Sequence, residues 1–422
     1  MRLTFRFIHA GALRLDVPVA GVGPLPDAIA SELRDASLHA FDRLVELALA
    51  EMVDLVLVTG EIGAGPENGP RSAIHLRDGL QRLIEHGIQV VLATEDDDWL
   101  DRPLVPDWPH AATVLRPGQP AVDIASPGGT LATIGWCPDD PGPSSEPGPL
   151  RIGLLPSAIE GVPPNGFDYL ARAGRLEYVV SDESPLAVSP GTLQGKGFST
   201  DEVGAKGAVL VSVDDRGSIE HDFVPLDAVR FVSVELVVDD LGSPSAVARS
   251  LSSRLDALRS LHSGSSLIVE AALDSRGRQA IPGGWPATRD ALLRLLQEAT
   301  EDLQPFVWWD HVRLRHRLTP LWEGADRVDD FVGGVLELAS ELAADAGRRA
   351  VFAAGRSLRR ELDRLNREGA IGLQLERSLG QVAGSAELIE EAAELAIDAL
   401  AGEPRGRRDM PFDRRNRGER PR

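Results

Sequence analysis

The chain has 422 residues, 43% of them apolar, which is enough material for two or three domains with sizeable cores. Its net charge of −21 argues against indiscriminate nucleic-acid binding, because phosphate contacts depend on Lys and Arg and here 65 acids face 44 bases. A single cysteine, Cys137, fits a reducing cytoplasm, and without a signal pattern or an apolar run of about 20 residues neither export nor membrane insertion is expected.

The first hundred residues alternate short apolar runs with amphipathic segments. The apolar runs predict strands over 3–9, 54–60 and 88–94, and the amphipathic periodicity predicts helices over 37–51 and 73–87. This β-α-β-α-β order favours a parallel sheet covered by helices, with function in the loops at the carboxyl ends of its strands. The acidic stretch Glu95 to Asp98 follows the third strand at such an end.

After Pro103 the pattern changes to short strands separated by turns rich in Pro and Gly. These strands are predicted over 130–137, 151–156, 167–173, 176–180, 207–214 and 219–226. Together with the first strands they predict an α/β fold, a two-sheet sandwich that ends near residue 226.

A smaller α+β capping domain is predicted over residues 227–318. It has strands at 231–238, 266–273 and 306–318 and helices at 245–262 and 288–303. The sequence Trp-Trp-Asp-His at 308–311 is interpreted as cap core instead of a base-stacking platform. Residues 319–402 are predicted to form a helical partner-binding region. Residues 403–422 hold eight Arg against four acids and are predicted to be a disordered tail, either a solubilising end or an electrostatic arm.

Whole segments of the chain resemble one family, the SbcD/YhaO type of DNA-repair exonuclease subunit within the calcineurin-like metallophosphoesterases. The resemblance covers residues 1–230 and continues more loosely beyond them. Its most specific part is Pro-Gly-Thr-Leu-Gln-Gly at 190–195, which is similar to the family's Pro-Gly-Asn-Leu-Gln-Gly. The segments that carry it are FIHAGALRLDVP (7–18), FDRLVELALAEMVDLVLVTGEI (41–62), RDGLQRLIEHGIQVVLAT (77–94), RIGLLPS (151–157), FDYLARAGRL (167–176), SPGTLQGKGF (189–198) and GAKGAVLVSVDDRG (204–217).

The resemblance implies a metallophosphoesterase-like sandwich and a nuclease that uses two divalent ions, commonly Mn²⁺. Two such ions clamp the attacking and leaving oxygens of a phosphodiester and need a cage of carboxylates, imidazoles and an amide. The family supplies that cage from five motifs, which are D-x-H, G-D-x-x-D, G-N-H-D, a lone His and G-H-x-H. It also implies an ATPase partner of the SbcC type and a dimer surface.

Almost every one of these ligands is replaced in this chain. The D-x-H positions are Ala12 and Arg14, and the bridging aspartate position is Glu61, with Ala64 as the last acid position of that motif. The remaining positions are Asp96 for the asparagine ligand, Asp97 for the catalytic histidine, Asp98 for the last acid, Pro156 for the lone histidine, and Gly174 and Leu176 for the final two. The set predicts no catalytic residue and no bound metal, with Glu61, Asp96 and Asp98 as residual candidates. His9, the histidine nearest to these positions, is interpreted as a satisfied strand-end residue.

A pocket arranged for metal ions and left with carboxylates alone has a charge-balance problem. We therefore predict that Arg14, together with Arg175, replaces the ions by pairing with Glu61 and Asp96, since a guanidinium holds a carboxylate bidentately and stays charged. The alternative is a new hard-cation site for Mg²⁺ or Ca²⁺ built from the acids. Arg14 opposes such a cation.

These observations favour a catalytically inactive homologue kept as a scaffold or partner-binding subunit of a DNA-repair-type complex, without a resident cofactor. The expected partner is an SbcC-like coiled-coil ATPase, an active paralogue or a second copy of the chain. Neither membrane association nor DNA binding is expected. The alternative is an active metal-dependent exonuclease or phosphoesterase with a rebuilt metal site. Ser157 and Ser181 have no accompanying His/Asp pair, and Cys137 is interpreted as a packed residue.

Overall fold

The computed structural model describes residues 4–63, 70–95, 108–109, 111–137, 148–156, 166–181, 185–238, 241, 243–275 and 285–316. The chain divides into two compact units, Met1–Arg317 and Leu318–Arg422. The predicted sandwich and cap both fall in the first unit. The predicted helical region and basic tail lie outside the described residues.

The described residues form fifteen strands and five helices. The strands are β1 (Phe5–Ala10), β2 (Leu55–Thr59), β3 (Gln89–Ala93), β4 (Thr113–Leu115), β5 (Val122–Ser126), β6 (Gly129–Trp136), β7 (Leu150–Leu155), β8 (Tyr169–Arg172), β9 (Val179–Ser181), β10 (Leu186–Ser189), β11 (Gly207–Val213), β12 (Ile219–Pro225), β13 (Val229–Val238), β14 (Ser266–Ser275) and β15 (Val307–His316). The helices are α1 (Asp27–Ala50), α2 (Pro70–Glu85), α3 (Pro244–Ser252), α4 (Leu255–Leu261) and α5 (Trp285–Glu298).

The first sheet has the strand order β12-β11-β1-β2-β3-β4. Strands β1 to β4 run parallel, and β11 and β12 extend the sheet with antiparallel pairing. Strand β2 is buried along its whole length, as expected for a parallel strand covered on both faces. Helices α1 and α2 cover one face, where side chains such as Ile8, Phe41 and Leu80 pack together. The predicted β-α-β-α-β order and its parallel sheet are confirmed.

The second sheet has the order β5-β6-β7-β8-β10-β9 and covers the other face of the first. The core between the sheets includes Phe7, Leu57, Ile134 and Tyr169, all fully or almost fully buried. Because side chains alternate along a strand, β1 sends Phe5 and Phe7 into this core and Ile8 toward the helices. The predicted two-sheet α/β sandwich is confirmed, and its last strand ends at Pro225.

A third, three-stranded parallel sheet follows, in the order β13-β14-β15. One face packs against α3 and α5 around Leu251, Leu296 and Trp309. The start of the sheet packs against α1, where Leu33 and Phe231 share a cluster. Trp309 is 1% exposed, which confirms that it is a core residue of the cap.

Three differences between the predicted and the observed elements have a structural explanation. Helix α1 begins ten residues earlier than predicted, because Leu33 and Ala36 of its first turns are buried against the cap sheet. The single helix predicted over 245–262 is two helices, and the Ser253 hydroxyl donates to the Ser250 carbonyl at the break, where serine side chains compete with helical bonding. The strand predicted over 176–180 starts at Val179, because the Leu176 carbonyl accepts hydrogen bonds from other loops instead of a strand partner.

Strands β4, β5 and β10 were not predicted, since runs of three to five residues carry little periodicity. Within the described part of the chain, no helix is long and apolar enough to span a membrane.

Candidate functional site

The loops that follow β1, β2, β8 and β10 meet at one end of the sandwich. Ala12 forms an isolated parallel bridge with Thr192, and the Leu193 N–H donates to the Ala12 carbonyl at 3.1 Å. A Cβ placed on Gly11 would lie 1.8 Å from the Gly191 carbonyl oxygen, so this contact tolerates no side chain on Gly11. The conspicuous Pro-Gly-Thr-Leu-Gln-Gly loop therefore packs directly against the loop that carries the altered D-x-H positions.

Three of the predicted motif loops converge around Gly60. A Cβ on this residue would lie 3.8 Å from the Ala12 Cβ and 3.7 Å from the Gly174 backbone nitrogen. The fold thus brings together positions from the loops after β1, β2 and β8, as the family resemblance implies. The loops converge through their backbones. None of the three residues Ala12, Gly60 and Gly174 has a side-chain nitrogen or oxygen atom that could bind a metal ion.

The side chains at the described motif positions are a poor match to a two-metal centre. Ala12 is 6% exposed, Pro156 and Leu176 are partly buried, and Gly174 has no side chain. Among the described residues, no group of three or more His, Cys, Asp or Glu side chains could hold a metal ion. The predicted candidates Asp96, Asp97 and Asp98, and also Ala64, lie outside the described residues.

Arg14 lies in this convergence in a left-handed backbone conformation, with φ +48°. The conformation is held by the neighbouring loop, because the Arg14 N–H donates to the Glu61 carbonyl at 3.3 Å and Leu15 N–H to the Ile62 carbonyl at 3.0 Å. Positive φ is rare for a residue with a side chain and recurs at ligand clamps and active sites. The Arg14 side chain is only 11% exposed, and its guanidinium lies in the charged cluster described next.

Arg14 has two carboxylate partners. Its Nε atom lies 3.8 Å from Oε2 of Glu61, within salt-bridge reach, so the structure places the predicted pair together. The closer partner is Glu202, which accepts a hydrogen bond from Arg14 Nη1. The Glu202 side chain is 7% exposed against 50% for Glu61, so Coulomb attraction is screened far less in the Arg14–Glu202 pair.

Glu202 was not singled out from the sequence. Its second oxygen, Oε2, accepts the backbone N–H of Lys196 at 3.0 Å, so one carboxylate joins the guanidinium to the loop after Gln194. In sequence it is one of two adjacent acids between two matched segments, and only its tertiary contact with Arg14 distinguishes it from a surface residue. Arg175, by contrast, is exposed and makes no ion pair with any described residue; its predicted charge-replacing role stays a prediction.

Lys196 is the second buried cation of this cluster. It is 4% exposed, and burial, assisted by the nearby charge of Arg14, lowers its pKa from 10.5 to about 8. Glu202, Asp16 and Glu61 act on the pKa in the opposite direction. Perturbed pKa values of this kind concentrate at functional sites.

The chain holds only two lysines among its 44 basic residues, and both are buried next to this loop. The second, Lys206, donates from Nζ to the Leu176 carbonyl at 3.0 Å and to the Asp201 carbonyl at 2.5 Å. Burial lowers the pKa of Lys206 as well. This usage is a signal that the sequence offers, because a chain that otherwise uses arginine has lysine only at positions 196 and 206.

His9 lies below the site, between the sheets, and is fully buried. Its Nδ1 is 2.8 Å from the Tyr169 hydroxyl and its Nε2 is 3.0 Å from Thr59 Oγ1, so both ring nitrogens have partners. Burial lowers its pKa to about 3, so the ring stays neutral at physiological pH. This confirms that His9 is a satisfied strand-end histidine. Cys137 is 4% exposed, which agrees with its interpretation as a packed residue.

One curated protein is similar to most of this chain. The sequence is 25% identical over 358 residues to a Bacillus subtilis (strain 168) protein described as "Uncharacterized metallophosphoesterase YhaO". The aligned region covers 78% of this chain and 86% of that relative. No family model matches the chain.

Proposed function

We propose that this chain, whose sequence similarity and two-sheet sandwich support a place in the metallophosphoesterase superfamily, is a non-catalytic member that serves as a scaffold or partner-binding subunit. Two-metal phosphodiester hydrolysis needs carboxylate and imidazole donors aimed at one point. Among the described residues, those that meet at this point of the fold are Ala12, Gly60 and Gly174.

The observation that carries the proposal is the ion pair between Arg14 and Glu202. A guanidinium cannot be deprotonated in a protein, so Arg14 stays protonated at every physiological pH and has no lone pair to offer a metal ion. The pair is also nearly buried, and it commits the Glu202 carboxylate to the guanidinium instead of to a metal ion. Glu61, one of the residual candidate ligands, lies within salt-bridge distance of the same guanidinium.

The partner side of the proposal rests on sequence alone. Residues 319–402 carry apolar side chains at helical spacing, such as Phe331, Val335 and Leu338, which suits docking on a partner helix. The family resemblance suggests a coiled-coil ATPase of the SbcC type, an active paralogue or a second copy of this chain in a DNA-repair-type complex.

The first experiment is metal analysis of the purified full chain together with a nuclease assay on duplex DNA in Mn²⁺. We expect no stoichiometric metal and no nucleotide release above that of buffer. Nucleotide release abolished by Glu61→Ala or Asp96→Ala would instead establish the alternative function, a metal-dependent exonuclease with a rebuilt site. Arg71→Ala, an exposed substitution on α2, is the control for nonspecific loss.

The second experiment tests the partner. The full chain and a version lacking residues 326–422 are each purified from their native cytoplasm, and the eluates are assayed for ATP hydrolysis. We expect ATPase activity with the full chain and its loss with the truncated one. Equal ATPase activity from both would contradict a partner site in the C-terminal region.

A further inference from the structure

His262 in the cap is bonded differently from three other described histidines. His75 and His311 face carboxylates, and His86 faces a backbone carbonyl, so a proton on any of these rings is compatible with its contact. The Nδ1 atom of His262 instead lies 3.1 Å from Nη1 of Arg230. A proton on this nitrogen would meet a cation.

Arg230 cannot move away from such a proton, because its guanidinium is held in place by Asp227. Its Nε donates to Oδ2 of Asp227 at 2.7 Å and its Nη2 donates to Oδ1 at 2.6 Å. The two side chains of this bidentate pair are 5% and 0% exposed. A guanidinium has no acceptor atom, so Arg230 is the donor to His262. The contact therefore requires a neutral His262 ring with its hydrogen on Nε2.

The contact closes the turn between α4 and β14, which begins at His262. The Ser265 N–H donates to the His262 carbonyl at 3.4 Å, and the Ser265 hydroxyl donates to the Asp227 carbonyl at 2.8 Å. From α1, Arg43 donates to the Asp227 carbonyl at 2.6 Å and to the Gly264 carbonyl at 3.1 Å. This turn thus joins α4, the residues before β13 and α1.

Helix α4 is weakly attached to the rest of the cap. None of its seven described residues is buried, and Leu261 in its last turn is 75% exposed. Leu255 and Leu258 pack against the cap core but are only partly buried. Near the C-terminal end of the helix, the Arg259 side chain donates to the Gln304 carbonyl at 3.0 Å in an exposed contact. The more buried contact at this end is therefore the one between His262 and Arg230.

Charges of both signs surround the turn. They are Asp227 and Arg230 from the start of the cap, Glu32 and Arg43 from α1, and Asp256 and Arg259 from α4. Burial and the charge of Arg230 lower the pKa of His262 from 6.5, while Asp227 acts in the opposite direction. The contribution of the contact to stability is accordingly complete above pH 6.5, and it is lost as the pH falls from there through the folded-state pKa.

We propose that His262 is an acid-sensitive switch in the cap: the neutral ring holds the C-terminal end of α4 against Arg230, and protonation of the ring releases this end of the helix and the turn that follows it. The protonated ring leaves because the guanidinium stays with Asp227, and the partly exposed side chain can turn toward water. The switch goes beyond the proposed function, since it lies in the cap and works whether or not the chain is catalytic.

The test is amide hydrogen exchange of the full chain, followed by mass spectrometry at about pH 7.5 and about pH 5.5 and corrected for the intrinsic exchange rate at each pH. We expect the amides of residues 255–265 to lose protection several-fold at the lower pH, while those of α2 change much less. His262→Asn supplies an amide oxygen that accepts from Arg230 and does not titrate, so it should keep this protection at both pH values.

His86→Asn is the matched control, because the Nδ1 of His86 lies 2.8 Å from the Arg82 carbonyl oxygen and this contact tolerates a proton. It should retain the full acid response of residues 255–265. An equal loss of protection in His262→Asn and in the wild type would overturn the proposal, because another group would then be responsible. Unchanged protection of the wild-type segment at the lower pH would overturn it as well.

A second readout reports on the ring itself by nuclear magnetic resonance of the histidine-labelled full chain. The signal missing from His262→Asn assigns His262 among the nine histidines. At neutral pH its Nδ1 should show the chemical shift of a nitrogen without hydrogen, and its titration midpoint should lie below 6.5. A hydrogen on Nδ1 at neutral pH, or a midpoint at or above 6.5, would overturn the proposal.

Discussion

Arg14 changes the chemistry of its loop more than any other single residue. An imidazole at this position would be a neutral metal ligand, whereas the guanidinium is a permanent cation that needs a carboxylate partner. It finds Glu202 in the interior and Glu61 at the surface. The pairing makes Arg14 structurally necessary, because its loss leaves Glu202 as an uncompensated buried charge.

Arg14→Met should therefore lower the free energy of unfolding by about 3–5 kcal/mol, the cost of breaking a buried ion pair on one side. Urea unfolding followed by circular dichroism measures this loss. The double variant Arg14→Met/Glu202→Gln should recover part of it. Arg71→Met is the control, since its pair with Asp35 has an arginine that is 60% exposed and should contribute less than about 1 kcal/mol. A loss as small as that of the control would contradict the role of Arg14.

Lys196 should make stability depend on alkaline pH. Its pKa is about 8 when folded and 10.5 when unfolded, so between these values the unfolded chain binds more protons and stability rises with pH. The cost of charging the buried amine, about 3 kcal/mol for such a shift, is present below pH 8 and relieved by pH 10.5.

The difference in unfolding free energy between wild type and Lys196→Met, measured from pH 7 to pH 10.5, isolates this effect. Lys206 is present in both proteins, so its own titration cancels in the difference. A difference that does not change with pH would show that Lys196 titrates normally in the folded state.

At the scale of elements, the Pro-Gly-Thr-Leu-Gln-Gly loop after β10 joins the sandwich to the cap. Gln194 is fully buried and uses both ends of its amide on backbone groups. Its Nε2 donates to the carbonyls of Gly195 and Val229, and its Oε1 accepts from the N–H groups of Ala228 at 2.9 Å and Val229 at 3.3 Å. The glutamine thus holds the start of β13 in register with the site loop.

Gln194→Ala should destabilise the chain by about 3 kcal/mol, because several buried backbone groups lose their partners at once. Gln194→Glu, which keeps the acceptor and loses the donors, should also destabilise. The exposed Gln81→Ala on α2 serves as the control and should cost little. Thermal unfolding of the three variants measures their relative stabilities. A Gln194→Ala variant as stable as Gln81→Ala would contradict a structural role for the Gln194 hydrogen bonds.

At the scale of the whole molecule, the described sandwich and cap fall in one compact unit that is stabilised by three large apolar cores. A ligand that binds only the folded state stabilises it in proportion to the logarithm of its concentration over the dissociation constant. The proposed function, in which the chain holds no metal, therefore predicts no such linkage to metal.

The unfolding free energy should accordingly be the same in about 1 mM Mn²⁺ and in excess chelator, within about 0.5 kcal/mol. Differential scanning calorimetry of the full chain measures this directly. A metal ion at a free concentration ten times its dissociation constant would add about 1.4 kcal/mol to the unfolding free energy. A gain of that size would contradict the prediction that stability does not depend on metal.

The sequence by itself determined the layers of the fold and the order of their elements, because periodicity of apolar residues is local and records which face of each strand or helix is buried. Through a resemblance carried by whole segments, it also predicted altered motif positions at Ala12, Arg14, Glu61, Gly174 and Leu176. Only the tertiary structure decided which charge meets Arg14, since Glu202 is 188 residues away and no local pattern records so distant a contact. The same holds for Lys196 and for the early start of α1, because burial of an isolated charge or of a helix's first turns depends on what another element places against it.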